Sequence, residues 1–227
     1  MDSGSLTNAL VAAGLLAVED EESTLELGEA MDEYVDASTS SIGESTLELD
    51  APSVDHLEDE IRPVVSELGA LNSRLAALYL AVADAAPALS HADRLRALPL
   101  LDALVAGPQR TDGAPDPFIP IGGDQVAAYL HLHRLVVLYV WRDDCEPCEV
   151  MRADIEAVVD EPPEALSLFA VHGPDIPFDV RERYNILGGP VTLFLVDGEV
   201  DARLSGPHHQ VVIERELETL CGYATHP

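Results

Sequence analysis

The chain has 227 residues, of which 42 are acidic and 12 are basic, the latter all arginine, for a formal net charge of −30. That charge excludes nucleic acid and anionic membrane surfaces as partners, because phosphate binding needs cationic clusters. An apolar share of 47% is enough to build a core and excludes a wholly disordered chain. The longest strongly apolar run, residues 9–18, is half of the roughly 20 residues a bilayer span requires. Residues 1–5 before it carry an acid and no base, the wrong flank for a secretory signal, so a soluble, cytoplasmic protein is expected.

In chain order, residues 6–16 read as a helix, followed by an acidic turn and Thr24-Leu25-Glu26-Leu27. The hexapeptide at 22–27, Glu-Ser-Thr-Leu-Glu-Leu, recurs at 44–49, and each copy alternates polar and apolar as a short strand would. Two copies are too few for a solenoid and read as paired edge strands or as coincidence. Helix plus strand is similar to the end of a winged-helix domain, but the first fifty residues hold 13 acids and no base, so DNA binding is not expected. Over 54–86, Ile61, Val64, Val65, Leu68, Leu71, Leu75, Leu78 and Val82 recur at helical steps. Pro87 ends that run, and Ser90 can cap a second helix reaching about Ala106. The expected job of this helical pair is packing or formation of a homodimer.

Residues 107–120 carry four prolines and two glycines and read as a linker. The expected division is therefore an acidic, mainly helical domain over 1–110 and an α/β domain over 111–227. In the latter, 118–121 can make a short strand and 124–133 a helix. The continuous apolar run 135–140 is that of a buried central strand. A helix follows over 145–159, stopped by Pro162 and Pro163, then a strand over 166–171 and a short helix over 178–185. Strands over 191–196 and 199–204 flank Asp197-Gly198, a strong hairpin signal, and an amphipathic helix over 211–220 closes the order β-α-β-α-β-α-β-β-α.

Three cysteines are too few for a disulfide scaffold. Cys145-Glu146-Pro147-Cys148 is a C-x-x-C, either a redox pair or half of a metal site. Zinc would need two more ligands. Cys221 lies in the last helix, His208-His209 lies before it, and only His172 could approach, so no metal and no cofactor are expected. Cys221, with Ile213, Leu217 and Leu220 at helical spacing, reads as a partly buried structural cysteine.

The element order with C-x-x-C just after the second strand resembles the thioredoxin family over about residues 117–223. The landmarks are Trp141 four residues before Cys145, the Cys145/Cys148 pair, Gly189-Pro190 opening a strand, Asp197-Gly198 at the hairpin and Gly206 after the last strand. The resemblance implies an α/β, thioredoxin-like fold with a central mixed sheet, preceded by a mostly helical N-terminal region. It also implies thiol–disulfide exchange. Cys145 would sit at a helix start that favours thiolate, Cys148 would resolve the mixed disulfide, and Pro147 would hold the turn between them. Pro190 would be a cis-proline facing the pair, with Gly189 before it and Trp141 as a wall of the site. The implied partners are protein disulfides and a recycling reductase. The departures are Tyr139 where the family has a buried aspartate, Val171 for a lysine, Asp144 for a tryptophan, Glu146 and Glu149 for glycine and lysine, and Ala153 for a proline. Asp143, Asp144, Glu146 and Glu149 form an acidic collar within four residues of Cys145, with no balancing charge expected beside them. Two functions follow: an oxidoreductase acting through an exposed Cys145/Cys148 pair, or a non-catalytic interaction or redox-sensing module whose helical region binds a partner. The lysine-free, acidic composition resembles that of proteins from salt-loving archaea, in which molar salt screens the self-repulsion.

Overall fold

The computed structural model of the chain describes residues 3–19, 24–31, 61–107, 109–160, 163 and 165–224. It divides into two compact units, Met1–Pro108 and Gln109–Pro227.

In the first unit, helix α1 (Ser3–Ala12) ends before Gly14, whose φ of 72° turns the chain into strand β1 (Leu16–Glu19). Strand β2 (Thr24–Leu27) pairs antiparallel with β1, Leu16 opposite Leu27 and Glu19 opposite Thr24. The first hexapeptide copy thus finds its partner in a segment that the periodicity assigned partly to a helix; the second copy, 44–49, lies outside the described residues, as does 54–60. The helix expected over 54–86 is two helices where it is described, α2 (Arg62–Leu71) and α3 (Ser73–Ala85). Asn72 divides them: its backbone is extended (φ −159°, ψ 106°) and its side-chain oxygen accepts from the Leu75 N–H at 3.1 Å, capping α3. Every residue of α3 from Leu75 to Ala83 is buried, which is why the run is apolar on all sides rather than on one stripe. Helix α4 (His91–Ala106) starts at Ser90, whose Oγ accepts from Asp93 N and donates to the Asp93 carboxylate at 2.6 Å. The fully buried Asp102 of α4 is paired with Arg74 of α3, a buried carboxylate that needs such a cation.

The second unit contains strands β3 (Ile119–Pro120), β4 (Leu135–Trp141), β5 (Ser167–His172), β6 (Val191–Val196) and β7 (Glu199–Ser205), with helices α5 (Val126–Leu132), α6 (Glu146–Val158), α7 (Phe178–Arg183) and α8 (Gln210–Ala224). The sheet order is β3-β5-β4-β6-β7. The first three strands run parallel, β6 is antiparallel to β4, and β7 is antiparallel to β6. This is an α/β, thioredoxin-like fold with β4 at the centre. All seven β4 residues are buried because both faces of the strand are covered. Leu135, Val137, Tyr139 and Trp141 enter one core with Met151 and Ile155 of α6 and Ile213, Leu217 and Leu220 of α8. On the other face Phe169 stacks on Tyr129 of α5, ring centroids 5.0 Å apart. Asp197 and Gly198 take φ of 50° and 80°, the positive values that a two-residue hairpin following the strand twist requires.

The Asn72 cap yields a prediction for the first unit. Asn72→Ala should cost about 1 kcal/mol of stability, read as a lower urea midpoint at unchanged slope; an unchanged midpoint would mean that the helix break does not depend on the cap.

Candidate functional site

Cys145 is the N-cap of α6, and its sulfur accepts from the Cys148 N–H at 3.2 Å. Glu146 and Pro147 occupy the first turn, where a missing N–H costs no helical hydrogen bond. Asp144, immediately before the cap, takes φ of 48°, a left-handed turn that aspartate tolerates and that bends the chain from β4 into α6. Cys145 and Cys148 are joined as a disulfide, Cα atoms 5.2 Å apart. The Gly189–Pro190 peptide is cis, and the Gly189 carbonyl oxygen lies 3.7 Å from the Cys145 sulfur, where a reduced thiol could donate weakly to it. A side chain at Gly189 would stand in ordinary contact with the Cys148 sulfur, so the bare backbone before Pro190 lies directly against the pair. The loop leading there is fixed from the edge strand: Arg203 donates to the carbonyls of Tyr184 and Asn185, and Gly206 N–H donates to Pro190 O at 2.9 Å. Between those ties Leu187 is 90% exposed.

The structure corrects two expectations about this site. The pair is not exposed: each cysteine keeps only 5% of its surface, and both belong to the core between sheet and α6. The acidic collar is not uniformly unbalanced either. Arg110 makes a two-pronged contact to Asp143, at 2.6 and 3.2 Å, and its guanidinium lies over the Trp141 ring. His172, buried at the end of β5, stands between Asp143 (3.3 Å) and Asp175 (2.9 Å) and packs on the same indole. The Arg110 hydrogen bond is the main reason that the Asp143 carboxyl is held below the usual carboxylate range. Asp144, Glu146 and Glu149 remain exposed.

Beside the disulfide is a pocket of about 180 Å³ whose walls include Asp112, Trp141, Glu149 and Arg152. Tyr139 lies beneath, with its hydroxyl donating to Cys148 O at 2.8 Å and burial pushing its ionisation well above the ordinary value. It is therefore a neutral hydrogen-bond donor. Among the described residues no group of three or more His, Cys, Asp or Glu side chains is arranged to hold a metal. Cys221 is a free, partly buried thiol whose pKa is raised by burial, far from thiolate character.

All six residues singled out from sequence meet in this region: Cys145, Pro147 and Cys148 on the first turn of α6, Trp141 at the end of β4, and Gly189-Pro190 at the head of β6. What sequence reasoning missed is the segment 110–114, read only as linker. Its Gly113 is so close to the Trp141 ring that any Cβ would collide with the indole, and its Asp112 carbonyl accepts from Arg152 at 2.9 Å. A Thr-Asp-Gly turn one strand upstream of the tryptophan was the only available signal.

No protein-family model matches the chain, and no curated protein does. Among solved structures it is similar to a mutant thioredoxin from Halobacterium salinarum NRC-1, at 16% identity and a TM-score of 0.40, over 47% of this chain and 92% of that one.

The geometry can be checked at Gly113 and at Asp143. Because the sequence holds a single tryptophan, its fluorescence reads Trp141 alone. Gly113→Ala should shift that emission and cost about 1–3 kcal/mol through overpacking; an unaltered spectrum and melt would show that the segment does not press on the ring. For Asp143, a depressed folded pKa means that the Arg110 contact stabilises the fold above the unfolded aspartate value of about 3.9 and is lost as pH falls through the lower folded value. The Asp143 carboxyl resonance should thus titrate below about 3.9 and move up towards it in Arg110→Gln; coincident midpoints would refute the pairing.

Proposed function

We propose that the second unit is a thiol–disulfide oxidoreductase acting on protein disulfides through Cys145 and Cys148. The observation that carries this reading is Cys145 itself: the N-cap of α6, its sulfur receiving the Cys148 N–H, its partner sulfur against the bare backbone that precedes a cis-proline. A helix start stabilises negative charge on sulfur through unpaired N–H groups and the aligned peptide dipoles.

In the reducing direction the Cys145 thiolate attacks one sulfur of a substrate disulfide. The substrate's other sulfur leaves as thiolate and takes a proton from solvent, giving a mixed disulfide on Cys145. Cys148, after losing its proton, attacks the Cys145 sulfur and expels the second substrate thiolate. Two electrons pass from the dithiol to the substrate, and the chain is left with the Cys145–Cys148 disulfide. A reductase that returns two electrons is then required as a partner. Trp141 and Pro147 hold the sulfurs in place, and the Gly189-Pro190 edge offers backbone to an extended substrate strand. The working environment we infer is a cytoplasm of high salt, since a Debye length of about 3 Å at molar salt screens the self-repulsion of so acidic a chain.

A second reading, a redox-sensing or interaction module without turnover, is favoured by two observations: the cysteines are nearly buried, and Tyr139 donates to a backbone carbonyl instead of serving as an ionisable acid. In that case the same disulfide would switch a binding surface rather than cycle.

Reduction of insulin disulfides in molar KCl, wild type beside Cys145→Ser, separates the two. Catalysis by the wild type that falls at least about a hundredfold in the variant supports the oxidoreductase, as expected when the attacking nucleophile of a covalent mechanism is removed. A wild type no faster than Cys145→Ser, with the disulfide still formed and reduced reversibly, leaves the sensor.

A further inference from the structure

We propose that Arg152 is the electrostatic partner of Cys148, favouring its thiolate during exchange in a site that lacks the family's buried acid and lysine; this rests on the thiol–disulfide reading above. Arg152 lies one helical turn after Cys148, four residues on, and therefore on the same face of α6. It shares the wall of one pocket with both cysteines. Its head is held rather than loose: Nη1 donates to Asp112 O at 2.9 Å, and Nε lies 4.0 Å from Glu156 Oε1. Its positive charge also acts on Tyr139, whose hydroxyl donates to Cys148 O, opposing there the effects of burial and of Glu156.

The charges around Cys148 make Arg152 the outstanding one. From α6 come Glu146 and Glu149, both exposed, and Glu156, which is turned to Arg152. From the β4–α6 loop come Arg142 and Asp144, both exposed, and Asp143, which is engaged by Arg110. The segment before β3 supplies Asp112, mostly exposed. Tyr139 of β4 is neutral, β6 offers no titratable side chain over Val191–Val196, and the buried residues of α8 are Ile213, Leu217 and Leu220. The half-buried cation on the sulfur-bearing face is Arg152, and a charge partly withdrawn from water acts more strongly on its neighbours than an exposed one.

In the resolving step the Cys148 thiol gives its proton to solvent, its thiolate bonds to the Cys145 sulfur, and the substrate sulfur departs with the electron pair of the broken S–S bond. Arginine stays charged throughout and transfers no proton. Its part is to lower the cost of the thiolate, so it is a positioning and electrostatic residue rather than an acid or base.

The test titrates Cys148 in the full chain, in molar KCl, with Cys145→Ser and Cys221→Ser leaving it as the single thiol, by ultraviolet thiolate absorbance against pH. Arg152→Gln should raise the pKa by about one unit, a tenfold loss of thiolate at a given pH below it. Arg152→Lys should recover most of the shift, and Glu156→Gln, which removes the opposing acid and leaves Arg152 in place, should lower the pKa. A purely structural role would give neither the recovery in Arg152→Lys nor the downward shift in Glu156→Gln. An unchanged pKa in Arg152→Gln, or Lys no better than Gln, overturns the proposal; should Arg152→Gln not fold, the sign in Glu156→Gln decides, and no downward shift overturns it. Because no substrate is present, the result stands apart from the insulin assay, in which failure of the oxidoreductase reading would show itself.

Discussion

The second unit depends on how the first turn of α6 is seated on the sheet. Tyr139, wholly buried in the central strand, donates its hydroxyl to the carbonyl of Cys148. That bond fixes the height of the turn above β4, and the two sulfurs are consequently part of the apolar core rather than perched on it. A buried phenol is well suited to this task, because leaving either the hydroxyl or the carbonyl unpaired there would cost about 1–3 kcal/mol. The phenol held neutral by burial is at the same time a donor and not a base, so a proton could not be taken up beneath the sulfurs by this side chain.

Arginine is scarce in this chain, 12 against 42 acids, so where each one points carries information. Several tie parts of the fold together rather than merely sitting on the surface. Arg74 neutralises the buried Asp102, Arg110 joins Trp141 to Asp143, Arg152 ties α6 to the segment before β3, and Arg203 satisfies two carbonyls of the loop before Pro190. A planar guanidinium with five donors can make such multiple contacts where an ammonium could not. With 42 acids against 12 arginines, most carboxylates have no arginine to pair with.

Much of the second unit was legible in the sequence because its signals are local and redundant. The apolar run of β4, the Asp197-Gly198 turn and the prolines at Pro147 and Pro190 each dictate backbone with little help from distant residues. The exposure of the cysteines was misjudged because burial is decided by what packs across: Trp141, the sheet and the 110–114 segment, none of which spacing within α6 can report. The pairing of Asp143 escaped for the same reason, since Arg110 is 33 positions away. In the first unit, helical periodicity ran straight through Asn72 because the apolar steps on either side stay in phase. What breaks the helix is a single side-chain oxygen competing for the Leu75 N–H, an interaction that a count of apolar residues does not weigh. The partner of Thr24–Leu27 was missed because β1 is only four residues long and apolar enough to extend a helix.

The loop that carries Leu187 has a consequence for how such a molecule diversifies. It is clamped at Tyr184 and Asn185 by Arg203 and at Pro190 by Gly206, and between the clamps the backbone at Gly189 lies against the redox pair. Leu187, 90% exposed, and Gly188, where an added Cβ would meet nothing within 4 Å, can therefore change identity without a clash against the sulfurs or the sheet. Evolutionary freedom and strict packing constraint thus alternate within a few residues of one loop.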